Sequence, residues 1–317
     1  MDALFSLPVL SVLLIPTLST YSTTLNLVFF YVTWTTLVLS HSALRVELFG
    51  TIAVRLLFYV FPSVIFFLFD ILTPSAAVIF KAQGEHGLPS GKKRGKIRLR
   101  EFKVAGWALF NIALGIAVQT GIEHLLMREL KLRSALKVSI KLPMPWEIGK
   151  DITRGMVVRE ILTYVIHRYA LHPKRRRTIV NRYHNNWYHT LVSPYPLTAH
   201  YDHPLVYLLK TFAPTYGPAV LFRFHLLTYL VYLIIISIEE TFAYSGYTIM
   251  PTRFFLFGIA RRVDDHMISG GSGNYGTWGI LDWICGTSLG VDDDDDGASE
   301  SARRAAEKAR RNARMKR

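Results

Sequence analysis

Hydrophobic positions in this chain gather into long runs, and polar positions fall in blocks between them. The first run covers Leu4 to Leu18 and the second Leu25 to Ser40, divided by a Ser/Thr-rich patch at Ser19 to Thr24. Taken from Ser22 to Ser42, the second reaches the roughly 20 residues that cross a bilayer core. A third, Leu56 to Leu72, contains Pro62, which membrane helices tolerate with a kink, and it pairs with the second as a hairpin. Between Lys81 and Lys103 the pattern switches to a Gly- and Pro-punctuated basic block, before Val104 to Met127 returns to apolar character as a further span. Glu129 to Lys150 is mixed, broken by Pro143 and Pro145. A helix capped by Asp151 then runs to His172, where Pro173 disfavours further helical backbone. Leu205 to Tyr247 is long enough for one span or a helical hairpin. The tail, with Asp292 to Asp296 acidic and Ala302 to Arg317 basic, reads as low-complexity.

This pattern predicts an all-α integral membrane helical bundle with a cytosolic, histidine-rich helical cap. Half of the residues are hydrophobic and the net charge is +14. The Lys and Arg residues flank apolar runs instead of interleaving with aromatics, so the charge sets topology at a membrane surface and nucleic acid is not an expected partner. By the same rule the 81–103 loop and Lys174 to Arg177 are cytosolic. Asp2 is the one charge before Arg45, which does not suit a secretory signal. A single cysteine, Cys285, excludes a disulfide framework and a thiolate zinc site.

Six of the eleven histidines, at 167, 172, 184, 189, 200 and 203, fall between Glu160 and His203. A lone histidine reads as a hydrogen-bonded surface residue; this clustering points to a metal, and several neutral imidazoles suit iron, zinc or copper. His167 and His172, five apart, diverge by about 140° on an ideal helix, so they converge only if the last turn is frayed or bulged. Glu160 and Tyr164 share a helical face with His167 and are its natural supporting groups, while Asp202, Asp264 and Asp265 are placed either to orient imidazoles or to ligate. His225 is an ionisable group in an apolar run, with Arg223 nearby suggesting an interface. No GxSxG or P-loop is present, and the glycines of Ser269 to Gly276 form a flexible turn.

The chain resembles the sterol desaturase and fatty acid hydroxylase superfamily of membrane di-iron oxygenases, looking closest to its fungal members. Glu160, Tyr164, His167, Arg168 and His172 match its first histidine box. His200 to Leu205 resembles the HPL element, Tyr244 to Tyr247 the SGY element, and Asn274 to Gly276 with Asp282, Gly286 and Thr287 the closing NYG, D and GT pattern. The second box departs, with Asn181 and Asn185 where ligands are expected, and the third retains only His266 beside Asp264 and Asp265. Tyr244 replaces a histidine before SGY and Val206 an acid after HPL.

The resemblance implies N-terminal spans over 1–80, a basic loop over 81–103, a span and linker over 104–150, a hydroxylase-like domain over 151–290 and a charged tail over 291–317. It implies iron, as two ions in an active enzyme, on His167, His172, His184, His189, His200, His203 and His266, with Glu160, Tyr164, Asp202 and Asp265 behind them. The implied activity is O2-dependent hydroxylation or desaturation of a lipid at the endoplasmic reticulum, with cytochrome b5 or a reductase as electron donor. The box departures leave a second reading open, a metal-free pseudoenzyme serving as scaffold or lipid binder.

Overall fold

The computed structural model describes residues 19–89, 99–174, 178–191, 193–247 and 258–289. The first apolar run, the basic block except Arg100, Arg175 to Arg177 and the charged tail lie outside them. The fold is 76% helical, with no strand among the described residues. Helix α1 (Ser19–Ser40) leads into α2 (Ala43–Leu72), followed by α3 (Leu99–Glu129), α4 (Pro145–Val165), α5 (Ile179–Trp187), α6 (Ala213–Leu221), α7 (Leu226–Ala243), α8 (Ile259–Ile268) and α9 (Ile280–Ile284). Three of these, α2, α3 and α7, are long and apolar enough to cross a membrane.

Two of the spans start earlier than the apolar runs suggest. α2 begins at Ala43, not Leu56, because the charged residues in its first half find buried partners: Glu47 accepts from Gln119 at 2.6 Å and Arg55 donates to Glu240 at 2.6 Å. A satisfied charge does not end a span. α3 begins at Leu99 and so takes in the end of the basic block. Pro62 sits just after a widened turn, Leu56–Val60, which relieves the crowding its ring imposes on the preceding turn.

Leu56, Leu57, Phe61 and Leu72 on α2 and Leu99, Phe102 and Phe110 on α3 are exposed, as side chains facing lipid must be. α7 differs, with 61% of its apolar window buried against 22% and 28% for α2 and α3, so it is the central post. Buried ion pairs fix its neighbours. Arg55 of α2 meets Glu240 at 2.6 Å, and Arg159 of α4 meets Glu239 at 2.7 Å. Gly155 lets α4 approach closely, since a Cβ there would stand 2.9 Å from the ring of Phe224. The result carries the last turn of α4 toward α5 and α8, where the histidines converge.

Candidate metal centre

His167 and His172 stand at either end of a widened turn, Ile166–Leu171, that closes α4. An ideal helix would point them apart; the extra residue per turn and the non-helical backbone of His172 (φ −122°) bring their rings to 5.2 Å. Thr178 caps α5 by accepting from the Asn181 backbone at 3.1 Å, which sets the helix carrying His184. His189 follows on a short turn, Tyr188–Thr190, and His266 projects from α8. Ligand nitrogens of His167, His172, His184 and His266 all lie within 4.8 Å of one another. His189 Nε2 flanks them, 3.2 Å from His172 Nε2.

Three of these imidazoles are held through Nδ1. His167 donates to the Tyr275 carbonyl at 2.9 Å, His266 to the Gly273 carbonyl at 2.7 Å, and His184 to the Asp202 carboxylate at 2.5 Å. Each leaves a buried Nε2 with no hydrogen-bond partner. An orphaned buried acceptor costs free energy, and its recurrence on three rings aimed at one point is the arrangement of ligands whose other nitrogen is fixed by an outer group. The donor set suits iron, zinc or copper.

Electrostatics favour the neutral, ligating form. Burial holds the imidazoles of His167, His184 and His189 well below their ordinary range, with Lys210 and neighbouring imidazoles acting in the same direction. Burial likewise takes His172 down to about 2 and His266 to about 3. Asp202 is pushed up to about 7 by burial, opposed by Lys210.

The closing motifs explain how the carbonyls are presented. Asp282 accepts from the backbone of Tyr275 and Gly276, at 2.9 and 2.8 Å, and from Thr287 Oγ1 at 2.7 Å. Asn274 adopts the left-handed region (φ 54°), binding Leu289 N through its side chain at 2.9 Å. Glu160 takes the Thr277 and Trp278 amides, both at 3.1 Å, so it anchors the loop, not the ring of His167. Tyr164 meets Thr287 Oγ1 at 3.2 Å and receives a bond from Arg168. At Gly271 (φ 88°) any Cβ would collide with the imidazole of His172.

Two expected ligands stand apart. His200 Nε2 pairs with Glu240 at 3.0 Å, with the Tyr59 ring 4.3 Å away, and so belongs to the ion-pair network of the spans. His203 stacks on Tyr183 at 4.0 Å and accepts from Leu205 N as a helix cap. Asp265 lies among Arg261 and Arg262. His225 caps α7 and contacts the Ser139 carbonyl at 3.2 Å, an end-of-span position. Asn181 donates to the Leu171 carbonyl, bracing the turn between the first two histidines.

The histidine pattern of the sequence does not point to Lys210 or Tyr188. Tyr188 stacks on His184 at 5.0 Å and carries the Lys210 ammonium 4.1 Å above its ring. Tyr188 lies between two of the clustered histidines in sequence, a position that could have flagged it; Lys210 carries no such signal.

Residues 152–287 match the family model described as fatty acid hydroxylase. The matched segment, less than half of the chain, contains all five converging histidines. No solved structure matches the chain.

Proposed function

Since residues 152–287 belong to the fatty acid hydroxylase family, within the sterol desaturase/fatty acid hydroxylase superfamily, we propose that this membrane protein is a non-haem iron oxidoreductase that hydroxylates or desaturates a lipid. The substrate class is a sterol, a fatty acyl chain or another hydrophobic metabolite. The observation that carries the reading is the set of three buried Nε2 atoms, on His167, His184 and His266, left without partners while each Nδ1 is fixed. Iron bound there supplies O2-dependent oxidation of an unactivated C–H bond. The chain's own residues hold and orient: Tyr275, Gly273 and Asp202 fix the imidazoles, Asp282 and Glu160 hold the loop that presents the carbonyls, and the buried rings exclude water. Electrons come from cytochrome b5 or a separate reductase. Basic residues after α4 and before α3 support a cytosolic centre in the endoplasmic reticulum membrane.

The test is expression of the full chain in a lipid-producing host, with mass spectrometry of extracted lipids. Expected is an O2-dependent product gaining one oxygen or losing two hydrogens, abolished by His184→Ala and His266→Ala. A second reading, a pseudoenzyme scaffold, draws on Asn181, whose side chain binds the Leu171 carbonyl at a position where the family expects a ligand. It predicts that cellular function survives both substitutions and that the purified protein takes up no metal.

A further inference from the structure

We propose that the centre holds one metal ion, not the pair served by the superfamily's full set of histidine boxes. This rests on the reading above that the cluster binds metal. Its first support is size. Nitrogens about 2.0–2.1 Å from a single ion are at most about 4.2 Å apart, whereas outer ligands of two ions about 3.5–4 Å apart are separated by about 7–8 Å. The four mutually close histidines span no more than 4.8 Å, which matches one coordination sphere with a small relaxation. His189 Nε2 lies 3.2 Å from His172 Nε2 at the edge of this set.

Most groups that would build a second site are committed elsewhere, and Asp264 alone of the carboxylates considered keeps a buried oxygen, Oδ1, without a hydrogen-bond partner. Asn181 braces the Leu171 carbonyl, and Asn185 is exposed. His200 is held by Glu240 and His203 is stacked on Tyr183. Asp264 precedes His266 by two residues, which puts them about 200° apart on a helix. Its carboxylate accordingly turns to the side of Gly246 and Lys81. Asp265 lies among arginines.

Charge points the same way. Among the described residues the carboxylate that hydrogen-bonds a clustered imidazole is Asp202, through His184 Nδ1. Beside the cluster stands a cation, since the Lys210 ammonium rests 4.1 Å above the Tyr188 ring that stacks on His184. A second dication would meet this positive charge directly.

The experiment loads the full-length protein in detergent with Fe2+ without oxygen, and in parallel with Co2+, removes excess, and counts metal per chain by mass spectrometry. The expected result is one ion per chain, with the cobalt form showing an uncoupled paramagnetic signal of one spin centre per chain. His184→Ala and His266→Ala each reduce loading to near zero, because each removes an imidazole whose Nδ1 is held and whose buried Nε2 is unpartnered. His189→Ala keeps one ion at weaker affinity, and His203→Ala keeps one ion at unchanged affinity and confirms that substitution alone does not disturb loading. Two ions per chain, a spin-coupled cobalt signal, or one ion remaining in either His184→Ala or His266→Ala would overturn the single-ion centre while leaving the metalloenzyme reading standing. No ion in the wild-type protein would overturn both. Elution volume and thermal midpoint of each variant separate loss of metal from loss of fold.

Discussion

The protein buries two sets of charged and imidazole side chains, and they are finished differently. In the ion-pair layer around α7, Glu240 meets Arg55 at 2.6 Å and His200 at 3.0 Å, Arg159 meets Glu239 at 2.7 Å, and Lys81 meets Asp70 at 2.7 Å. That layer leaves one imidazole nitrogen unpartnered, His200 Nδ1, whereas in the histidine centre the same kind of burial leaves three together, Nε2 of His167, His184 and His266. Charges closed upon each other hold helices together; lone pairs left open toward a common point need something to bind. Burial alone therefore does not mark the functional site. What marks it is the direction of the unpaired atoms.

The strongest way to break this comparison is Glu240→Ala. It leaves the buried Arg55 guanidinium without its carboxylate and His200 without its partner, and removing one member of a buried pair costs about 3–5 kcal/mol. The expected outcome is a large drop in thermal midpoint and in monodisperse yield, equal in metal-stripped and metal-loaded protein. An effect confined to the loaded protein would show that the two regions are one machine. Asp202→Asn comes next and acts the other way. Its carboxylate orients His184 at 2.5 Å, and loss of such an outer partner weakens metal binding about 10–100-fold. Metal-stripped protein should unfold within a degree or two of wild type; if it collapses instead, Asp202 belongs with the structural pairs.

Acidification tests the centre with a smaller, graded effect. The five clustered imidazoles are held neutral by burial, so only the unfolded chain takes up their protons as pH falls below about 6.5. Stability is then lost as pH falls. Asp202 and Asp264, each raised to about 7 by burial, act oppositely, because between about 4 and 7 the folded chain binds protons that the unfolded one releases. Glu160 and Asp265 are raised as well, and His200 and His203 lowered, so the lowered imidazoles still outnumber the raised carboxylates. The thermal midpoint of metal-stripped protein should fall between pH 7 and pH 5, and a flat or rising midpoint would contradict the buried, neutral cluster.

How much of this was legible beforehand follows from where the information lies. The all-helical membrane fold was readable because long apolar runs leave the backbone few other ways to satisfy its hydrogen bonds in lipid. The divergence of His167 and His172 and its cure by a bulged turn before Pro173 were readable too, since both follow from helix geometry. The early start of α2 was not, because the acceptability of Glu47 and Arg55 depends on Gln119 and Glu240, far away in sequence. The same limit separated His200 from its neighbours. Sequence proximity grouped it with the ligands, whereas its ring faces Glu240, forty residues on. Glu160 shares a helical face with His167 as expected, yet backbone amides of Thr277 and Trp278 claim it.

His203 gives the smallest and sharpest test of that separation. It lies three residues from His200 and one from Asp202, so proximity in the chain would make it a ligand. Its ring instead stacks face to face on Tyr183, 4.0 Å between centroids and 5° between planes, and its Nδ1 accepts from the Leu205 amide 3.2 Å away. Replacing it with alanine removes a ring pair worth about 0.5–1.5 kcal/mol and a cap worth about 1 kcal/mol. A shift of a few degrees in the thermal midpoint is expected, the same with and without metal, and metal affinity should not change. Asp202 N-terminal to it keeps its bond to the His203 backbone amide at 2.8 Å, which alanine retains, so the orientation of His184 is preserved. A fall in metal affinity would mean that the stacked ring supports the centre after all, and the boundary between the two regions would have to be redrawn on the other side of His203.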